Sequence, residues 1–176
     1  RESGRKRVLN SFSSEVDGSA NLTGEGPAIQ HTTVLPYYNG GDLFDFVNTT
    51  NVSENMAKHL FFMLAEELAS IHNCNCAHRD LSLENVMLDS KDGFARLYFV
   101  DFEHCAIYPE HTKNPRCLGS VGKRCYVSPE QWSGREYDPF VADIWALGVM
   151  LFSIVFGFTP FRIATSSCAS FRHLKD

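Results

Sequence analysis

No charged residue occurs between Ile144 and Phe161, and that run is the tightest constraint on what this chain can fold into. From Val141 to Phe156 the sequence is almost wholly apolar, too long for one buried strand and long enough for a helix. Asp138-Pro139 precedes it in the order that opens helices. The carboxylate can cap the first free N–H groups, and proline loses nothing in a first turn, where its missing N–H has no partner anyway. Gly157 and Pro160 end the run. A membrane span needs about 20 apolar residues. The stretch between these stops is nearer the length of a core helix, and Asp143 stands near its start. The run therefore predicts a buried central helix in preference to a span.

A second helix is predicted over Ser53 to His72. Met56, Leu60, Leu64, Leu68 and Ile71 recur every three or four residues, with Lys58, Glu66 and Glu67 elsewhere on the wheel. Val86-Met87-Leu88, the turn residues Ser90-Lys91-Asp92-Gly93, and Ala95 to Val100 predict a short hairpin. Residues 28 to 38 have a strand composition at their centre and run into Asn39-Gly40-Gly41-Asp42, which reads as a turn followed by a helix cap.

Between the helix and the hairpin lies His78-Arg79-Asp80-Leu81-Ser82-Leu83-Glu84-Asn85. It resembles the catalytic loop of the protein kinases, H-R-D-L-x-x-x-N, at every specified position. The resemblance implies that Asp80 accepts the proton of a substrate hydroxyl and that Asn85 holds a Mg²⁺ on the phosphates of ATP. Other motifs follow in family order. Asp101-Phe102-Glu103 falls where the family has D-F-G, making Asp101 the second metal ligand. Gly122-Lys123-Arg124-Cys125-Tyr126-Val127-Ser128-Pro129-Glu130 aligns with G-T-x-x-Y-x-A-P-E. Asp143, Trp145 and Gly148 match the family's buried helix, whose Asp accepts bonds from the catalytic-loop backbone. By the same resemblance Leu35 is the gatekeeper of an adenine pocket, the Pro36 carbonyl and Tyr38 main chain bond the adenine edge, and Asp42 lies near the ribose. Arg79 would pair with a phosphate on the activation segment, with Ser120 the best-placed acceptor and Thr112 the second.

Three departures qualify the resemblance. Glu103 replaces a glycine, giving up backbone freedom and adding negative charge near the metal. Ser82 stands where Ser/Thr-specific kinases carry Lys, and Lys123 stands where they carry Thr, so hydroxyl and ammonium have changed places. One expectation is that Lys123 supplies the phosphate-side charge across the same gap with Ser82 as its partner; the other is that both positions have drifted. Third, Gly18, Gly24 and Gly26 do not form a Gly-rich phosphate loop, and no V-A-I-K-like strand precedes them. Most of a small lobe is missing from the sequence, and so are the last helices of the large lobe with the usual Arg partner of Glu130. The chain alone is accordingly expected to be inactive.

Composition excludes some classes. The net charge of −5 opposes a general nucleic-acid surface, and Arg5-Lys6-Arg7 is too short to change that. The six cysteines follow no disulfide framework or zinc-ligand spacing and read as free thiols of an intracellular, cytoplasmic protein. Three glycosylation sequons, at Asn21, Asn48 and Asn51, are patterns short enough to arise by chance. Residues 1–27 are polar and aperiodic, as in a disordered segment.

The fold implied is α+β and mostly helical, a kinase-like large lobe in part with its hinge strand, over residues 28–176. The function implied is ATP- and Mg²⁺-dependent phosphorylation of protein hydroxyls, of the Ser/Thr type by overall resemblance, with a non-catalytic kinase-like scaffold as the alternative. Protein substrate and ATP are the expected partners, without nucleic acid or membrane.

Overall fold

The computed structural model describes residues 14–15, 32–90 and 95–175. The chain divides into two units, Arg1–Tyr37 and Tyr38–Asp176. In the first, β1 (Ser14–Glu15) pairs antiparallel with β2 (Thr32–Thr33). The expected hinge strand over 28–38 is thus reduced to Thr32–Thr33 among the described residues, and 34–38 have no regular structure. Pro36 lacks the N–H that a strand ladder would use. The expectation of disorder over 1–27 falls outside the described residues except at 14–15, which are paired.

The second unit is mostly helical. Asp42 caps α1 (Leu43–Thr49), its Oδ1 accepting the Asp45 N–H at 2.8 Å. Ser53 caps α2 (Glu54–His72) through the Met56 N–H. The apolar stripe of α2 is Ala57, Leu60, Leu64, Leu68 and Ile71. Met56, expected on that stripe, is exposed and the small Ala57 takes its place. Each of the fully buried leucines contributes roughly 2 kcal/mol of transfer free energy, which is what holds an amphipathic helix down.

After α2 the chain forms β3 (Cys76–Ala77), a 3₁₀ turn at Leu83–Asn85, and the hairpin of β4 (Val86–Asp89) and β5 (Arg96–Phe99). The hairpin register pairs Val86 with Phe99 and Leu88 with Leu97, side chains that are all buried. The predicted turn residues 91–93 lie outside the described residues. β6 (Ala106–Ile107) pairs antiparallel with β3. A short α3 (Pro129–Trp132) precedes α4 (Pro139–Phe156), and α5 (Ala169–Lys175) ends the described chain.

α4 begins and ends as its sequence predicts. Asp138 Oδ1 accepts the N–H groups of Phe140 and Val141, and Gly157 closes the helix at φ 77°. Such a left-handed closure suits glycine, which has no side chain to clash. α4 is long and apolar enough by composition to cross a membrane, and half of it is buried in this fold. Its inner face carries Asp143, Ala146, Leu147, Met150 and Ile154 against α2 and β3.

Candidate active site

The start of the loop is hung from one carboxylate. Asp143 is 1% exposed and accepts three hydrogen bonds. Its Oδ1 takes the Arg79 N–H at 2.8 Å, and its Oδ2 takes the His78 N–H at 2.8 Å and His72 Nε2 at 2.9 Å. A buried charge needs such partners, because unpaired it would carry its full desolvation cost. The helix chosen for burial therefore delivers a fixed acceptor to the start of the loop. His72 is a residue that sequence reasoning missed; its only signal was a histidine ending the amphipathic helix.

His78 is fully buried and joins the loop to the hairpin. Its Nε2 donates to the Val100 carbonyl at 3.0 Å, and its Nδ1 accepts the Asp80 N–H at 3.3 Å. That pair of bonds requires the neutral ring. Burial pushes the His78 pKa down from its ordinary value of 6.5, outweighing the opposing pull of the Asp143, Asp80 and Asp101 carboxylates. The ring also stacks at 4.7 Å on Phe102, which is buried as the D-F-G pattern implies.

The carboxylate of Asp80 is oriented from two sides. Oδ2 accepts Asn85 Nδ2 at 3.1 Å, and Oδ1 accepts the Lys123 N–H at 3.2 Å. Asn85 Nδ2 also donates to the Asp80 carbonyl at 2.8 Å, which commits its amide nitrogen inward. The amide oxygen is thereby the end of Asn85 left to accept, and Lys123 Nζ donates to it at 3.3 Å. The backbone carbonyl of Asn85 accepts the Val100 N–H at 3.0 Å, so the hairpin ladder seats Asn85 beside the strand that runs into Asp101.

Asp101 is exposed, with Glu103 N–H at a long 3.4 Å from Oδ1. Its φ is +64°, and Glu103 is absent from the positive-φ residues. The left-handed conformation therefore falls on the Asp, a type that tolerates it, and the Glu in the glycine position bears no such strain here.

Lys123 Nζ lies 2.7 Å from Ser82 Oγ, so the two exchanged residues meet. Ser82 is fully buried, and the Lys123 ammonium stands 3.9 Å from Glu84 Oε2. Gly122 makes the approach possible. At φ +90°, a Cβ on it would sit 3.0 Å from both the Arg79 carbonyl and Asp80 Oδ1. Arg124 points elsewhere, over the Trp132 ring at 5.8 Å.

The remaining expected residues are placed as follows. Leu35 and Pro36 belong to the first unit and are exposed, while Tyr38 and Asp42 belong to the second. Tyr38 stacks on Tyr98 at 5.0 Å, and one oxygen of Asp42 is used in capping α1. Arg79 Nε donates to the Tyr137 hydroxyl at 3.3 Å; Ser120 is exposed, and Thr112 donates its hydroxyl to the Pro109 carbonyl. All six cysteines are free thiols.

The site thus holds one carboxylate oriented by an amide, at Asp80, and a second, exposed one at the adjoining hairpin end, at Asp101. A family model described as "Protein kinase domain" matches residues 28–175. The chain is 36% identical over 130 residues to a Saccharomyces cerevisiae protein named probable serine/threonine-protein kinase HSL1, covering 73% of this chain and 8% of that one. It is 38% identical over 130 residues to serine/threonine-protein kinase SAPK7 of Oryza sativa subsp. japonica, covering 73% and 35%. With the human SNF-related serine/threonine-protein kinase it shares 33% identity over 136 residues, covering 76% and 17%. The chain belongs to the protein kinase family. It spans about a third or less of the length of these relatives.

Proposed function

We propose that the protein containing this chain transfers the γ-phosphate of ATP to protein hydroxyls, Ser or Thr by the character of its relatives. The observation that carries the reading is the two-sided orientation of the Asp80 carboxylate, by Asn85 Nδ2 and by the Lys123 N–H. A carboxylate held in that way is aimed at one point outside the loop, as a base and orienter for an incoming hydroxyl must be. The described second unit corresponds, in this reading, to part of a kinase large lobe.

The donor set fits Mg²⁺. Asn85 offers an amide oxygen, which accepts Lys123 Nζ at 3.3 Å here, and Asp101 offers an exposed carboxylate, both hard oxygen ligands of the kind this ion takes. Asn85 and Asp101 would hold the ion, which would supply positive charge to offset that of the ATP phosphates. Leu35, Pro36, Tyr38 and Asp42 are the residues assigned to the adenine and ribose, on the family pattern alone. An intracellular location suits free thiols and ATP use.

The test is turnover by the full-length protein with Mg²⁺-ATP and a protein substrate. Asp80→Asn is expected to lower kcat by about 100-fold or more, the loss typical of a missing proton acceptor. Thermal unfolding should shift upward with Mg²⁺-ATP and not with ATP alone. A full-length protein that binds Mg²⁺-ATP without any turnover would instead be a kinase-like scaffold.

A further inference from the structure

The catalytic loop itself carries acids and no phosphate-facing cation. From Asp80 to Val86 its charged residues are Asp80 and Glu84, and Asp101 adds a third carboxylate at the hairpin end. Arg79 is directed to the Tyr137 hydroxyl. A phosphoryl group transferred beside Asp80 carries charge of the same sign as these carboxylates, and a positioned cation would offset it. One ammonium reaches the loop from outside, that of Lys123. Its side chain is 38% exposed, so the charge is held between protein and solvent and is not sequestered.

We propose that Lys123 is the cation that contacts the transferring phosphate, and that it does so from the activation segment instead of from the catalytic loop. This rests on the phosphoryl-transfer reading above. An ammonium has three N–H donors. Two are directed by Ser82 Oγ at 2.7 Å and Asn85 Oδ1 at 3.3 Å, and the third makes no hydrogen bond among the described residues, Glu84 Oε2 being 3.9 Å away. Ser82, fully buried, acts as a positioning residue that fixes where the ammonium stands. The main chain of Lys123 is fixed as well, by its N–H on Asp80 Oδ1. Gly122 permits that contact, since any Cβ there would press on the Arg79 carbonyl and the Asp80 carboxylate.

The arrangement has a regulatory consequence. A cation carried by the loop stays at the site whatever the activation segment does. A cation carried by residue 123 is present only when the segment from Gly119 to Tyr126 is seated. Ordering the segment and charging the phosphate site become one event.

The experiment uses the full-length protein in four forms: wild type, Asp80→Asn, Lys123→Met, and the exchange Ser82→Lys with Lys123→Thr. Two quantities are read, kcat and the ratio of Kd values for Mg²⁺-ADP and Mg²⁺-ATP measured by calorimetry. Lys123→Met should lower kcat by about 100-fold, as loss of one transition-state donor does, with KM for ATP changed far less. It should also cut the preference for ATP over ADP by roughly tenfold, the worth of one charge-assisted bond to the γ-phosphate. The exchange should recover most of both losses by placing an ammonium on the loop. Lys123→Met with wild-type kcat and wild-type preference would overturn the proposal while leaving the phosphoryl-transfer reading intact. So would an exchange protein that melts like wild type and recovers neither quantity, since a purely structural tie would behave that way. If wild type and Asp80→Asn are equally without turnover, the phosphoryl-transfer reading fails and this proposal fails with it.

Discussion

The loop at 78–85 and the segment at 119–126 meet at Asp80, yet the segment adds a side-chain tie to the backbone bonds that hold the loop. The loop is held through its backbone: two consecutive N–H groups bond to a carboxylate on α4, and most of its side chains are buried. The segment is exposed from Leu118 to Ser120 and reaches Asp80 and Ser82 through the N–H and ammonium of Lys123. Backbone anchoring is indifferent to most side-chain changes, because every residue but proline offers the same N–H. Side-chain anchoring depends on identity. Lys123 and Ser82 meet across such a contact, at 2.7 Å.

The contrast makes predictions of graded size. Asp143→Ala should have the largest effect, stripping three donors of their acceptor at a buried position. The expected loss is about 3 kcal/mol or more, by the cost of unsatisfied buried donors. Urea unfolding measures it, and a loss below that of an ordinary surface substitution would mean the loop is not hung from α4. Gly122→Ala should come next. A φ of +90° and 3.0 Å contacts to Arg79 and Asp80 put side-chain strain where the segment meets the loop. Strain of this kind costs about 1–3 kcal/mol. A neutral result in thermal unfolding would show that the segment is free to move away.

The smallest effect concerns pH. With its pKa lowered by burial, His78 is neutral in the fold, whereas in the unfolded chain it binds a proton near its ordinary 6.5. Below that value the unfolded state takes up the extra proton, so this contribution to stability is complete above about pH 6.5 and declines as pH falls toward the depressed pKa. A His78→Gln variant should show a flatter stability–pH slope in that window than wild type. Equal slopes would mean that the ring is protonated in the fold, against its bond from the Asp80 N–H.

Local signals made most of the helices legible. Ser53, Asp138, Pro139 and Gly157 act where they stand, through caps and stops that need no distant partner. The catalytic loop was equally plain, since its pattern is contiguous. What the sequence could not disclose is set by packing between distant residues. Ala57 replaces Met56 in the core because α2 is rotated by its neighbours. The strand composition of 28–38 competes with Pro36 and yields pairing at Thr32–Thr33 alone within the described residues. His72 meets Asp143 across 71 positions of sequence, with nothing in between to announce it. The positive φ at Asp101, and not at Glu103, was likewise hidden, since an Asp can adopt either hand at modest cost.

The hairpin of β4 and β5 carries a last implication. Asn85 immediately precedes β4 and Asp101 lies two residues beyond the end of β5, at the same end of a ladder whose register pairs Val86 with Phe99. The separation of the two oxygen donors assigned to the metal is therefore inherited from strand pairing and not from the length of the connection. Lengthening or shortening the chain between Ser90 and Ala95 should keep that spacing. A single residue gained or lost between 96 and 100 would turn the carboxylate to the opposite face and part the pair.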